Sequence, residues 1–202
     1  KPLVYWSIKS CIKSKNISQT WVSSDNKKIL NISKKYGAKT IYRPKKFSSD
    51  TASSEIAWLH AVKEIKKKQK IDYVIGLQPT SAIRDFTDID KAIKKFFKNK
   101  YDSLFSAKER DEAFSWNLKK LKVVPNYNIF KRQRRQNLKR RITENGSFYI
   151  FKSEKFLKKR NRLFGKIGFH MMKNFKGFEI DTLEDAILVD LILKNKRIFN
   201  KI

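Results

Sequence analysis

From Thr20 to Ala107 the chain alternates between short β-prone runs and stretches with helical apolar spacing, and this alternation constrains the fold more than any other feature. A strand that feeds a helix and returns to a parallel strand needs a right-handed crossover, so the pattern builds a parallel sheet with helices wound on its faces. Val4, Ile8, Cys11 and Ile12 recur at helical spacing, which places the start of the chain inside a helix. Thr20 to Ser23 then reads as a strand. Asn26 to Tyr36 reads as a helix with Ile29, Ile32 and Tyr36 on one face and Gly37 as its stop. Thr40 to Tyr42 is a further strand closed by Arg43-Pro44, and a polar loop leads into a third helix carrying Ile56, Leu59, Val62 and Ile65. Tyr73 to Leu77 is nearly continuous in apolar residues, the pattern of a central strand buried on both faces. Thr87 is read as the cap of a helix bearing Ile89, Ala92, Ile93, Phe96 and Phe97, and Ser103 to Ala107 as the next strand. Periodicity breaks from Lys108 to Arg141; a strand at Ser147 to Phe151 and a helix at Leu183 to Leu193 follow. The expected fold class is therefore α/β, a doubly wound and mostly parallel sheet, with an inserted or protruding segment near its middle.

A chain of 202 residues suits one such domain, and 40% hydrophobic content with 15 Phe and 7 Tyr excludes a disordered segment. No apolar run approaches the roughly 20 residues that cross a bilayer. Cys11 is the sole cysteine, so no intrachain disulfide forms and a reducing, cytoplasmic setting is expected. The chain begins at Lys1 with no charged-then-apolar leader, which reads as truncated and not as secreted. Lys and Arg total 48 against 19 acids, a net charge of +29. That balance suits a nucleic-acid binder, and equally an enzyme whose substrates are a nucleoside triphosphate and an acidic sugar. The basic residues are spread along the chain on the polar sides of the helices, as in a general compositional bias.

Ligands of doubly wound sheets bind where loops leave the carboxyl ends of strands. Four polar clusters fall at such ends: Ser23-Ser24-Asp25, Arg43 with the loop to Ser54, Gln78-Pro79-Thr80-Ser81, and Glu179-Ile180-Asp181. Asp50-Thr51-Ala52-Ser53-Ser54 precedes a helix, where hydroxyls and free N–H groups either cap the helix or hold an anion or hydroxyl. Arg43 offers a forked contact to a phosphate or base edge, or is a surface arginine. Gln78 adds an amide that a simple turn does not need. Glu179 and Asp181 are two apart, so an extended backbone puts both carboxylates on one face, where a divalent cation can bridge them. Lys131 to Gln136 is the densest basic stretch, fit for RNA or for a carboxylate or phosphate. His60 and His170 stand alone, and His60 is read as structural.

Together these pieces resemble the CMP-N-acylneuraminate (CMP-sialic acid) synthetase family, essentially end to end. Lys1-Pro2-Leu3, Val22-Ser23-Ser24-Asp25, Tyr42-Arg43-Pro44, Asp50 to Ser54, Leu77 to Ser81 and Tyr101 to Ser106 are similar to its motifs in order and spacing. Arg134-Arg135-Gln136, Glu144 to Tyr149 and Ile180-Asp181-Thr182 complete the series. The resemblance implies a fold of the nucleotide-diphospho-sugar transferase type. It implies that Arg43, Ala52, Ser53 and Ser54 contact the cytidine nucleotide of CTP. Gln78 would then hold the nine-carbon acidic sugar, and Arg135 with Gln136 would meet the sugar side and its carboxylate. Glu179 and Asp181 would bind Mg²⁺, with Asp181 as the catalytic residue. It further implies a homodimer packed through a mid-chain excursion, roughly residues 108 to 159, and no membrane or nucleic-acid partner. The implied reaction is attack of the sugar's anomeric hydroxyl on the α-phosphorus of CTP with release of pyrophosphate. Legionaminic and pseudaminic acids are the alternative sugars. The chain departs from the family in carrying Glu179 where Asp is usual. The family's triphosphate-wrapping loop would lie before Lys1, so little turnover is expected of residues 1 to 202 alone.

Overall fold

The computed structural model describes residues 1–49, 51–109, 114–120, 122–137 and 141–201. Its elements run α1 (Leu3–Lys13), β1 (Trp21–Ser24), α2 (Lys27–Lys35), β2 (Lys39–Tyr42), α3 (Ser54–Lys66), β3 (Tyr73–Leu77) and α4 (Phe86–Lys98). There follow β4 (Ser103–Glu109), β5 (Trp116–Lys119), β6 (Lys122–Pro125), β7 (Ile142–Lys152), α5 (Ser153–Lys159), β8 (Ile167–Met171), α6 (Leu183–Lys194) and α7 (Lys196–Lys201). Short polar side chains set several helix starts. Asn26 accepts from the N–H groups of Lys28 and Ile29 at 2.8 and 3.4 Å to begin α2, and Gly37, at φ +88°, follows its end. Thr182 begins α6 by accepting from the Asp185 N–H at 3.2 Å while the Asp185 carboxylate takes the Thr182 N–H at 2.8 Å. At α4 the Asp88 carboxylate accepts from the Asp85 N–H at 3.1 Å. Asp85, not Thr87, occupies the cap position, because Thr87 already lies inside the first turn.

The sheets are mostly parallel in strand direction. β1 and β2 pair in parallel; in the four-stranded sheet, ordered β3-β7-β4-β8, strands β3, β4 and β8 run one way and β7 runs against them. β7 alternates faces along its length, and the two faces are covered by different helices. Phe148 and Ile150 join Ile89, Ala92, Ile93 and Phe96 of α4, whereas Tyr149 and Phe151 join Leu59 and Val62 of α3 and Phe156 of α5. Helices on both faces make the sheet doubly wound. A third cluster packs Val189 and Ile192 of α6 on Ala82 and Ile83, with Leu3 and Trp6 of α1 alongside.

Besides the α4 cap, three details differ from the sequence reading. β3 is an edge strand in the hydrogen-bonded order, and β7 and β4 hold the centre. Tyr73 therefore stays 40% exposed and is covered by Phe97, itself 51% exposed, with ring centroids 4.8 Å apart. The buried stripe of α2 is Leu30 and Ser33, leaving Ile29 40% exposed. α5 and β8 lacked a readable pattern, since Gly168 interrupts β8; a Cβ there would come within 2.4 Å of the Tyr101 ring. Mid-chain, β5 and β6 form an antiparallel hairpin whose Leu118 and Val123 are 76% and 60% exposed.

Gly76 of β3 lies under α3, where an added Cβ would meet the Trp58 ring at 2.7 Å. Replacement by alanine must displace that indole, which packs against Tyr149 and Phe151. Gly76→Ala is expected to lower stability by about 1–3 kcal/mol, read as a lower urea midpoint at constant m-value.

Candidate active site

The carboxyl end of β3 carries the turn that builds the site. Gln78 leaves the strand, and the Ser81 N–H returns to the Gln78 carbonyl at 3.3 Å. Arg84, 3% exposed, lies beneath this turn. Its guanidinium donates to the Gln78 carbonyl, to Ser7 Oγ of α1 at 2.9 Å and to Ser147 Oγ of β7 at 3.0 Å. Burial pulls its pKa down to about 10, so it remains a cation at neutral pH, and its charge and that of Glu179 act on each other.

Glu179 reaches the same turn from the far end of the chain. Its Oε1 accepts from the buried Ser81 hydroxyl at 3.2 Å, and the Ile180 N–H donates to the Thr80 carbonyl at 3.2 Å. Gly146 faces this carboxylate: a Cβ there would lie 1.6 Å from Glu179 Oε1 and 3.1 Å from Gln78 Oε1. A side chain there would have to push the Glu179 carboxylate aside, and the φ of +62° favours glycine. Buried Asn145 holds that bend by accepting from Ser106 Oγ at 2.6 Å and from the Ser147 N–H at 3.3 Å. Lys108 Nζ donates to the Gly177 carbonyl at 3.3 Å, and its charge also acts on Glu179.

Desolvation pushes the half-buried Glu179 carboxyl above its ordinary range; the Ser81 hydrogen bond opposes this and the Asp181 charge adds to it. Asp181 is exposed just before α6, its N–H donating to Asp185 at 3.1 Å. Two crowded carboxylates, one of them poorly solvated, are a donor set that fits a hard divalent cation. Among the described residues no group of three or more His, Cys, Asp or Glu could hold a metal. A magnesium ion at this pair would therefore draw its other ligands from phosphate oxygens and water.

The remaining candidates are Arg43, the segment before α3 and the basic stretch near residue 136. Arg43 follows β2, its N–H bonded to the Ser24 carbonyl at 2.9 Å and its Nε to Ser48 Oγ at 2.9 Å. Ala52, Ser53 and Ser54 lead into α3, and Ser53 makes no side-chain cap bond. Asp50 and the side chain of Arg135 lie outside the described residues; Gln136 is exposed in the short turn Arg135–Asn137. Two concavities of about 380 and 360 Å³ flank His60, and neither is lined by Gln78, Glu179 or Asp181. His60 packs on Phe47 at 5.1 Å between centroids. The sequence reading put the polar clusters at one end of the sheet; the structure brings Gln78 and Glu179 together at Gly146, with Asp181 within electrostatic reach of Glu179. The sequence reading gave no role to Arg84 or Gly146, and took Ser81 only as part of the polar cluster after β3. Arg84 was visible at the end of the Gln78 segment, but its burial could not be read without the packing of α1 and β7.

This chain belongs to a family of nucleotidyl-transferring proteins: the sequence profile described as Cytidylyltransferase matches residues 1–200. It is 31% identical over 159 residues to N-acylneuraminate cytidylyltransferase A of Danio rerio, covering 76% of this chain and 36% of that protein. It is 27% identical over 200 residues to the pseudaminic acid cytidylyltransferase of Campylobacter jejuni subsp. jejuni serotype O:23/36 (strain 81-176), covering 96% of this chain and 86% of that one. The chain thus spans about a third of the length of the Danio rerio relative. In fold it is similar to CMP:2-keto-3-deoxy-manno-octonic acid synthetase complexed with CTP, with TM-score 0.71 at 14% identity over 97% of this chain and 89% of that one. The 4-diphosphocytidyl-2C-methyl-D-erythritol synthase of Anaerococcus prevotii DSM 20548 gives TM-score 0.69 at 11% identity, over 96% and 86%. These two likenesses establish the doubly wound fold.

A carboxyl held above its unfolded value, about 4.3 for Glu, costs stability once it ionises. That cost is absent below the unfolded value and is complete above the raised one. Glu179→Gln is therefore expected to raise Tm at pH 8 in EDTA and to converge with the parent protein near pH 4. Mg²⁺ should raise the Tm of the parent and leave that of the variant unchanged.

Proposed function

We propose that the protein joins CTP to a free nine-carbon acidic sugar of the sialic-acid type, forming the CMP-sugar and pyrophosphate. The observation that carries this reading is the meeting of Gln78, Gly146 and Glu179 at the carboxyl end of β3, with Asp181 beside them, in a chain of the cytidylyltransferase family. In this reading the sugar's anomeric oxygen bonds to the α-phosphorus as the α–β bridging bond breaks, and the hydroxyl proton passes to a base. Phosphoryl chemistry of this kind needs placement and charge neutralisation more than covalent help. Glu179 and Asp181 would hold Mg²⁺, which when bound supplies neutralising charge to the triphosphate. Asp181, the more exposed carboxylate, accepts the proton of the attacking hydroxyl. Gln78 Oε1, already aimed at the Gly146 bend, and its amide nitrogen bind the acyl sugar, while Arg135 and Gln136 take its carboxylate. Arg43, Ala52, Ser53 and Ser54 bind the cytidine nucleotide.

The coverage of pseudaminic acid cytidylyltransferases over almost this whole chain supports pseudaminic acid as a second choice of sugar, with legionaminic acid alongside it. The exposed hairpin, with Phe130 91% exposed nearby, supports a homodimer formed through the segment from 108 to 159. No helix among the described residues is long and apolar enough to cross a membrane. Cytoplasmic residence keeps the lone Cys11 reduced.

The test is pyrophosphate release by the whole gene product containing this chain, with CTP, Mg²⁺ and N-acetylneuraminic, legionaminic or pseudaminic acid. Turnover with one of these sugars and CTP, and none with UTP, is the expected outcome. Asp181→Ala should then reduce kcat by about a hundredfold or more. If the protein ignores CTP and holds RNA with steep salt dependence, the +29 charge serves nucleic acid instead.

A further inference from the structure

Arg162 lies in the loop between α5 and β8 and has no role among the residues assigned above. Its Nε donates to Glu55 Oε1, and its guanidinium carbon lies 4.7 Å from the Trp58 ring centroid and 4.5 Å from that of Tyr149. Glu55 is in the first turn of α3 and also accepts from the Ser53 hydroxyl. The Tyr149 hydroxyl donates to Glu144 at 2.7 Å, and Glu144 opens the bend whose Gly146 lies against Glu179. One guanidinium thus touches both the helix that begins with the nucleotide residues and the strand that shapes the carboxylate site.

We propose that Arg162 is a positioning residue for the nucleotide: by clamping Glu55 against Tyr149 it fixes the start of α3, and with it Ser53 and Ser54, relative to β7. This rests on the functional reading above. Two observations favour it over a contact that merely holds the fold together. Ser53 makes no side-chain cap bond to α3, so the side-chain tie from this helix start to β7 runs through Glu55 and the guanidinium stacked on Tyr149. The ion pair is also shielded, with 15% and 22% of the two side chains exposed, so its geometry is held more firmly than that of a surface pair. A flat, stacking fork is required to lie over two rings and bind a carboxylate at once, which an ammonium cannot do.

The experiment is steady-state kinetics of the whole gene product with CTP varied at saturating sugar and the reverse, with Tm measured in parallel. Arg162→Ala and Glu55→Gln should each raise KM for CTP about tenfold, leaving kcat and the sugar KM within about twofold. Arg162→Lys should not restore the CTP KM, and the double variant should be no worse than either single one, because the two remove the same interaction. If Tm falls while the CTP KM stays within about twofold of the parent in these variants, the role is structural and the proposal is overturned. Glu55→Gln keeps size and shape, so it serves as the test if Arg162→Ala does not fold. Absence of any turnover by the parent protein would overturn the functional reading itself, and this proposal with it.

Discussion

The site depends on a charge that is almost out of reach of water. Arg84 is buried under the turn after β3, where its donors are taken up by Ser7, Ser147 and the Gln78 carbonyl. A guanidinium is costly to bury, and the cost is tolerable only when its N–H groups are matched. Matching them here ties α1, β7 and the Gln78 turn to a single point, so the direction of the turn is set from below. The Gln78 side chain, Ser81 and the backbone of Thr80 can then face the segment from Gly177 to Asp181. The same buried cation lies within electrostatic reach of Glu179, so it restrains the rise in that carboxyl's pKa.

The carboxylate pair shows the opposite arrangement. Glu179 is partly desolvated and lies next to Asp181, and neither effect favours a folded, metal-free protein. Gly146, at φ +62°, leaves the space that the carboxylate occupies beside the backbone. A chain selected for stability alone would place a neutral residue at 179. Such features concentrate where a protein must hold charge for a ligand, and they support the proposal that this end of the sheet is the site.

Much of this was legible in the residues. Alternating periodicity placed β1, β2, β3, α3, α4 and β4 to within a residue or two, because each has a distinct apolar stripe or run. The spacing of Glu179 and Asp181, and the amide after the apolar run of β3, pointed to the neighbourhood where Gln78 and Glu179 meet. What could not be read depends on contacts distant in sequence. The reversed direction of β7 depends on pairing with β3 and β4, and nothing local in Ile142–Lys152 encodes it. The edge position of β3 is likewise a property of the sheet and not of its apolar run. The α4 cap was misplaced because Asp85 and Thr87 both have capping chemistry and only Asp85 stands at the boundary. Arg84 and Arg162 looked like two more basic residues among 48, and only their burial and partners distinguish them.

The most direct measurement is anomalous diffraction from crystals of the whole gene product grown with CTP and Mn²⁺ in place of Mg²⁺. The account predicts a manganese peak between the carboxylates of Glu179 and Asp181, with the triphosphate completing the coordination and Gln78 on the same wall. A bound nucleotide whose manganese lies away from both carboxylates would contradict it.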